Sequence, residues 1–337
     1  MTHLSPTAAP TIDPAAVASG SFASLPHWGC IDAEGPEAEA FLQAQLTSDV
    51  AAIAPDGIGL GGHCTPKGRL FSTFVLARSA AGFRLLTSRD NLADAAKRLS
   101  MYVLRSKLKI HDRGDAFEVL GAYGEAAAQA IADLGLEAPA AGRVAWREDA
   151  CVLGLAPVTA NGTTVRRWML AGPAGWAADV AAMLGKRLVR VPADVDRWLE
   201  VLSGVPRVTA ATREAWVPQM INYELVEGVG FRKGCYPGQE VVARTQYLGK
   251  LKRRMFAARL ATRPADEAAW APGAPVQAGD AEVGSVVLSA PDPAGGVALL
   301  VEYRMQAAGD AALRVAGQPL EPAELPYDVP EPAAPAN

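Results

Sequence analysis

Lys233-Gly234-Cys235-Tyr236-Pro237-Gly238-Gln239-Glu240 joins a thiol, a cation, two glycines and a Pro-Gly step in one short segment. A thiol reacts as its thiolate, which a neighbouring cation or a helix N-terminus favours. Arg232 and Lys233 supply the cations. Pro-Gly suits the central positions of a type II turn or the first turn of a helix, so the chain is expected to bend at the surface with Cys235 on the lip. An isolated cysteine is more often a small buried hydrophobe. The basic pair before this one and the Pro-Gly after it point instead to a functional thiol. Beyond Pro237, the run to Leu248 fits a helix in which Glu240 and Arg244 form an i,i+4 acid-to-base pair and Gly249 can end the element. The β-branched pair Val241-Val242 leaves a strand as the alternative.

Working outward, Thr65-Pro66-Lys67-Gly68-Arg69 reads as a tight turn carrying two cations into a strand, either a solvated hairpin tip or an anion-facing loop. Gly59-Leu60-Gly61-Gly62 lacks phosphate-loop spacing and reads as a turn. His63-Cys64 could join Cys235 as metal ligands or as a Cys-His pair, but no third ligand lies nearby and unrelated structural residues are the simpler reading. No P-loop, G-x-S-x-G or H-E-x-x-H motif occurs.

Helical patterns fall at Glu37 to Leu46, Ser88 or Asp90 to Leu104, Glu125 to Leu134 and Trp176 to Leu184. Strand patterns fall at Leu70 to Ala77, Phe83 to Thr87, Lys107 to His111, Phe117 to Leu120 and Arg167 to Leu170. Two α+β units of related design are expected. Asn161-Gly162 reads as a turn. After Leu251 the helical periods stop, and glycine turns punctuate short β runs such as Val283 to Leu288 and Val297 to Tyr303, as in a small antiparallel barrel. The octapeptide lies at the join of the two parts, where pockets form preferentially. Both ends of the chain are rich in Ala and Pro and show no period, which predicts disordered tails.

At 337 residues, half of them apolar, the chain can build two or three cores. No apolar run approaches the roughly 18 residues of a membrane span, and no signal-peptide order begins the chain, so a soluble cytoplasmic protein with no membrane contact is expected. Cys30, Cys64, Cys151 and Cys235 are scattered with no C-x-x-C pair, which argues against a disulfide framework and a zinc site. A net charge of −4 excludes a generally cationic nucleic-acid coat. Any anion site must be local, as at Arg98 to Lys109 or Lys250 to Arg254, and the latter could contact RNA.

The octapeptide with Pro218-Gln219, Asn222, Gly228-Val229-Gly230-Phe231, Val242-Ala243-Arg244 and Gly249-Lys250 resembles the YgfZ family of folate-binding proteins. Gln45 to Val50, Pro66-Lys67-Gly68-Arg69 and Tyr102 to Lys107 resemble its other recurrent segments, and the likeness spans roughly Leu25 to Leu313. It implies an α+β protein with the three-domain ring of the glycine-cleavage aminomethyltransferase, two ferredoxin-like units plus a C-terminal antiparallel β-barrel. The implied boundaries are a first, folate-binding domain at 23–115 and 190–248, a second at 116–189, a barrel at 249–325, and tails at 1–22 and 326–337.

It further implies tetrahydrofolate or a derivative as cofactor, and iron-sulfur proteins or cluster-assembly factors, including tRNA-modifying enzymes, as partners. The residues carried over are Cys235 as functional thiol, no metal ligand, and Lys67, Arg69, Gln219, Asn222, Arg232, Lys233, Tyr236, Gln239, Glu240, Arg244 and Lys250 as cofactor-binding residues. Arg232 or Lys233 is assigned the folate tail by analogy. Two departures separate the chain from the aminomethyltransferase: its acidic pair falls on Ser72 and Thr73, and its pterin-contacting glutamate on Leu202, with Glu200 out of place. A hydroxyl cannot handle an amine proton as a carboxylate does at neutral pH. The expectation is therefore an accessory protein rather than a classical enzyme, with a folate-dependent one-carbon transferase as the alternative.

Overall fold

A computed structural model of the chain describes residues 13–247, 251–308 and 312–330. Its strands sort into three sheets. The first has five antiparallel strands in the order Ile58–Cys64, Leu70–Ser79, Gly82–Ser88, Trp28–Glu34 and Lys109–Asp112. Helices Ala38–Gln45 and Leu92–Ser100 cover one face, and Phe41, Leu42, Leu92 and Leu99 form a core with Ile31, Phe74, Leu76 and Leu85. The strand Ile58–Cys64 contains Gly59-Leu60-Gly61-Gly62, so the expected turn there is wrong. Close packing explains these glycines. A Cβ on Gly62 would come within 2.4 Å of Leu70, and one on Gly61 within 2.8 Å of Ser48 Oγ.

The second sheet runs in the order Val189–Arg190, Ser21–Ser24, Phe117–Tyr123, Thr163–Pro173, Ala150–Ala160 and Val144–Arg147, with helices Glu125–Asp133 and Ala174–Leu184 packed on it. Its long hairpin turns at Asn161 and Gly162, whose φ values of 50° and 78° are those an Asn-Gly turn requires. The third sheet is barrel-like, with seven antiparallel strands in the order Gln318–Pro319, Leu313–Val315, Pro275–Ala278, Ala281–Pro291, Val297–Arg304, Arg253–Leu260 and Glu321–Ala323. One residue separates its two edge strands along the chain, which brings the edges of the sheet together. The α+β architecture with a terminal barrel is thus the one expected.

The expected tails are partly structured. Helix Pro14–Ser19 is capped by Asp13, whose carboxylate accepts from Ala15 N at 2.9 Å, and it buries Val17 and Ala18. Ser21–Ser24 then pairs with Phe117–Tyr123. A six-residue helix is too short to display a period, so composition alone misreads it. At the other end, Tyr327 Oη donates to Gly204 O at 2.7 Å, and Leu325, Pro326 and Tyr327 fill the space beside Gly204.

Helix Asp194–Ser203, ended by Gly204 at φ 65°, buries Val195, Asp196, Trp198, Leu199, Glu200 and Val201. It packs against both the second sheet and the barrel, and Val195, Trp198, Leu199 and Leu202 stand at i, i+3, i+4 and i+7, a helical period that the expected elements above do not include. No described helix is long and apolar enough to cross a membrane.

Candidate functional site

A cavity of about 730 Å³ lies where the first sheet, the second sheet and helix Asp194–Ser203 meet. That size is typical of small-molecule sites. Leu60, Val75, Leu155, Met169 and Val205 give it apolar walls, and Asp49, Thr73, Arg143, Glu200, Arg207 and Glu227 give it polar groups. Strand alternation decides which of the two hydroxyls at the expected acidic positions enters. Thr73 lines the cavity and accepts from Val208 N at 2.9 Å, whereas Ser72 Oγ accepts from Asn91 on the opposite face. Glu200, out of place by sequence comparison, also lines the cavity, while Leu202 packs against the apolar core.

Glu200 belongs to a buried charge network. Arg207 donates to its two oxygens at 2.9 and 3.0 Å and to Ser88 Oγ at 2.7 Å, and stacks over Trp28. His27 Nε2 lies 3.0 Å from Asp196 and 3.4 Å from Glu200. Tyr123 Oη and Trp28 Nε1 donate to Asp196. Burial alone would raise the Glu200 carboxyl, but the Arg207 and His27 charges hold it well below the usual range. Burial opposes the His27 imidazolium, yet Asp196 and Glu200 together raise its pKa above the ordinary value. His27, Asp196 and Glu200 converge in the manner of metal ligands, but Arg207 already occupies Glu200, and Tyr123 and Trp28 donate to Asp196. His63, Cys64 and Cys235 do not form a ligand cluster among the described residues.

The octapeptide lies beside this cavity, and none of its residues lines it. Gln239 N donates to Tyr236 O at 3.1 Å and Gly238 has φ 81°, so Pro237-Gly238 adopts the turn with positive φ at its third position, and helix Gln239–Tyr247 follows. Gly238 presses on the turn Thr65 to Arg69: a Cβ there would come within 2.4 Å of Thr65 O and 2.7 Å of Gly68 Cα. The two segments singled out in the sequence therefore meet in space. Gly238→Ala combines that clash with a left-handed backbone and is expected to destabilise the protein by at least about 1 kcal/mol. Faster proteolysis within 233–247 and a lower Tm would register it; an unchanged Tm would refute the contact.

Cys235 is exposed, whereas Cys30, Cys64 and Cys151 are buried. Lys233 does not serve as a free cation. Its Nζ donates to Gln43 O and Leu46 O at 2.5 Å and to Ser48 O at 2.8 Å, which occupies all three of its donors. Burial lowers its pKa to about 8, with Asp49 acting the other way, so the ammonium form prevails at pH 7. The expected tail role for Lys233 therefore fails on donor count. Arg232 is exposed.

Gln219 and Asn222 are buried, and their amides donate to Val242 O and Met255 O, each at 2.8 Å. They pin the segment to helix Gln239–Tyr247 and to the barrel instead of facing the cavity. Tyr236 is buried, with Lys233 Nζ 5.1 Å from its ring centre. Arg69 donates to Glu214 O and Ala215 O, while Lys67, Glu240 and Arg244 are exposed and Gln239 is half-buried. No Glu240–Arg244 ion pair forms among the described residues. Lys250, like the expected helix end at Leu248-Gly249, lies outside them. The expected RNA-facing run loses two cations, because Arg253 pairs with Glu302 and Arg254 with Glu224. Glu200 and Arg143 line the cavity without any motif to mark them; pairing spacing such as Glu200 to Arg207 carries no local signal.

No family model matches the chain. It is 34% identical over 232 residues to the tRNA-modifying protein YgfZ of Vibrio vulnificus strain CMCP6, a match covering 69% of this chain and 68% of the relative. It is 31% identical over 238 residues to the tRNA-modifying protein YgfZ of Colwellia psychrerythraea, covering 69% of each. Among solved structures, glycine cleavage system aminomethyltransferase T from Bartonella henselae superposes with a TM-score of 0.74 and 18% identity, over 92% of this chain and 87% of that one. At that identity the likeness is one of fold.

Proposed function

Because the chain belongs to the YgfZ family, we propose that it binds tetrahydrofolate or a derivative in the central cavity and acts as an accessory protein for iron-sulfur proteins, with Cys235 as its functional thiol. The observation that carries this reading is the 730 Å³ cavity walled by the segment leading into the octapeptide. The donor set suits the ligand. A pterin needs an apolar slot, which Leu60, Val75 and Met169 supply, and acceptors for its N–H groups, which Asp49 and Glu227 supply. Arg143, a cavity-wall cation that pairs with Asp56 at 2.8 Å through one nitrogen and keeps further donors of its guanidinium, takes the tail role expected for Arg232 or Lys233. When bound, the folate would supply one-carbon chemistry.

A transferase reading is weaker here. At the position of the expected acidic pair Thr73 offers no carboxylate, and Glu200 is held ionised by Arg207 and His27, which makes it a poor base, so only the carboxylates elsewhere on the wall, Asp49, Glu224 and Glu227, remain for that role. Tetrahydrofolate titrated calorimetrically into the purified protein should bind at one site. Arg143→Ala should weaken it about tenfold, or about 1.4 kcal/mol. Cys235→Ala should bind tetrahydrofolate normally yet fail to restore an iron-sulfur enzyme in a strain lacking the protein. Absence of binding sinks the folate reading, and full rescue by Cys235→Ala sinks the role of the thiol.

A further inference from the structure

The segment that carries the thiol and the segment that walls the cavity are joined along their length. Val229 and Gly230 line the cavity, and the same stretch of chain continues to the exposed Cys235. Facing them, Ser48 and Asp49 line the same cavity. Thr47 Oγ1 donates to Gly228 O at 2.5 Å and accepts from Gly62 N at 2.8 Å, and Gly230 N donates to Thr47 O at 2.8 Å. A Cβ on Gly230 would come within 3.0 Å of Asp49 N, so nothing separates the two strips. Lys233 closes the seam through its bonds to Gln43, Leu46 and Ser48. Two of those carbonyls belong to the C-terminus of helix Ala38–Gln45, where the helix dipole favours a cation.

We infer that Lys233 is a positioning residue that couples the cavity to the thiol: an occupant touching the Ser48–Asp49 wall moves the octapeptide through the Lys233 bonds and changes the reactivity of Cys235. This rests on the cavity being the ligand site proposed above. Three charge-assisted bonds converge on one ammonium, so a shift of the wall must either carry Lys233 with it or break them. The thiol lies two residues further along the same backbone, and Tyr236 beyond it is buried against the lysine. A ligand shifts such an equilibrium only by its differential affinity for the two arrangements, so the coupling requires that a ligand seated on this wall bind them unequally.

Because the other three thiols are buried, alkylation of the folded protein by iodoacetamide reports Cys235, with Cys235→Ser as the blank. Saturating tetrahydrofolate is expected to change the wild-type rate by about fivefold or more, the lower end of typical coupling between sites. Lys233→Arg keeps the charge but presents a planar fork that cannot serve three converging carbonyls, and it is expected to lose the response. Lys233→Met should behave likewise; if it fails to fold, Lys233→Arg carries the test. Retention of the full response in Lys233→Arg overturns the inference, as does an unchanged wild-type rate when calorimetry shows tetrahydrofolate bound. If tetrahydrofolate does not bind at all, the folate reading fails instead. The positioning role is then judged on ligand-free protein, where Lys233→Arg must alter the rate by about fivefold; equal rates overturn it.

Discussion

Arg207→Met is expected to cost about 3–5 kcal/mol of stability, the range for removing one partner of a buried ion pair. The loss comes from what remains behind. Arg207 serves both oxygens of Glu200, bonds Ser88 and covers the Trp28 ring. Without it, Glu200 and Asp196 share only His27 and the more distant Arg167 as compensating charge. Combining Arg207→Met with Glu200→Gln removes the orphaned charge and should recover part of the loss, whereas two independent sites would add. The urea midpoints of the two variants, at constant m, decide this. A loss below about 1 kcal/mol for Arg207→Met would place the pair among solvent-screened surface bridges and refute its burial.

The same network predicts alkaline sensitivity. His27 has a folded pKa above its ordinary 6.5, so its contribution is complete below pH 6.5 and is lost as pH rises through the folded value.

The fold was legible where local pattern and packing agree. The helix Glu125–Asp133 buries one face, through Ala127, Ala130 and Ile131, and its period shows it, while the strands Leu70–Ser79 and Gly82–Ser88 are buried on both faces and show as short apolar runs. Asn161-Gly162 announced its turn because few other residues adopt two successive positive φ values. The Gly59 to Gly62 strand was hidden for the opposite reason, because it omits side chains so that neighbours can approach, whereas helix Asp194–Ser203 carries an i, i+3, i+4, i+7 apolar period with a Gly204 stop and was readable. The octapeptide was legible as a turn leading into a helix. What the sequence could not reveal was direction. Lys233 looks like an anion ligand in a string of letters, and only the carbonyls of Gln43, Leu46 and Ser48, far away along the chain, show that its donors are occupied. The cavity's own polar groups, such as Arg143 and Glu200, come from separate segments with no shared motif.

Acid should weaken the protein through His63, and His63→Phe should remove much of that weakness. The His63 ring is fully buried, neither nitrogen has a hydrogen-bond partner among the described residues, and the Tyr102 ring meets it edge-on at 6.1 Å. Burial, and secondarily the Arg98 charge, lower its pKa from 6.5 to about 3. Between those values the unfolded chain binds a proton that the folded chain refuses, so the stability held above pH 6.5 is lost as pH falls towards 3. The loss is about 2 kcal/mol at pH 5 and about 4–5 kcal/mol at the lower limit. Carboxylates titrate in the same window, so the quantity to measure is the difference between wild type and His63→Phe in urea midpoints from pH 8 to 4. Phenylalanine keeps an aromatic ring against Tyr102 and discards two unpartnered nitrogens, so the variant should also gain stability at pH 7. Parallel pH profiles for the two proteins would mean that His63 finds a proton acceptor in the folded state. A diverging pair, with wild type falling faster below pH 6.5, is what a neutral imidazole buried against Tyr102 and near the Arg98 charge requires.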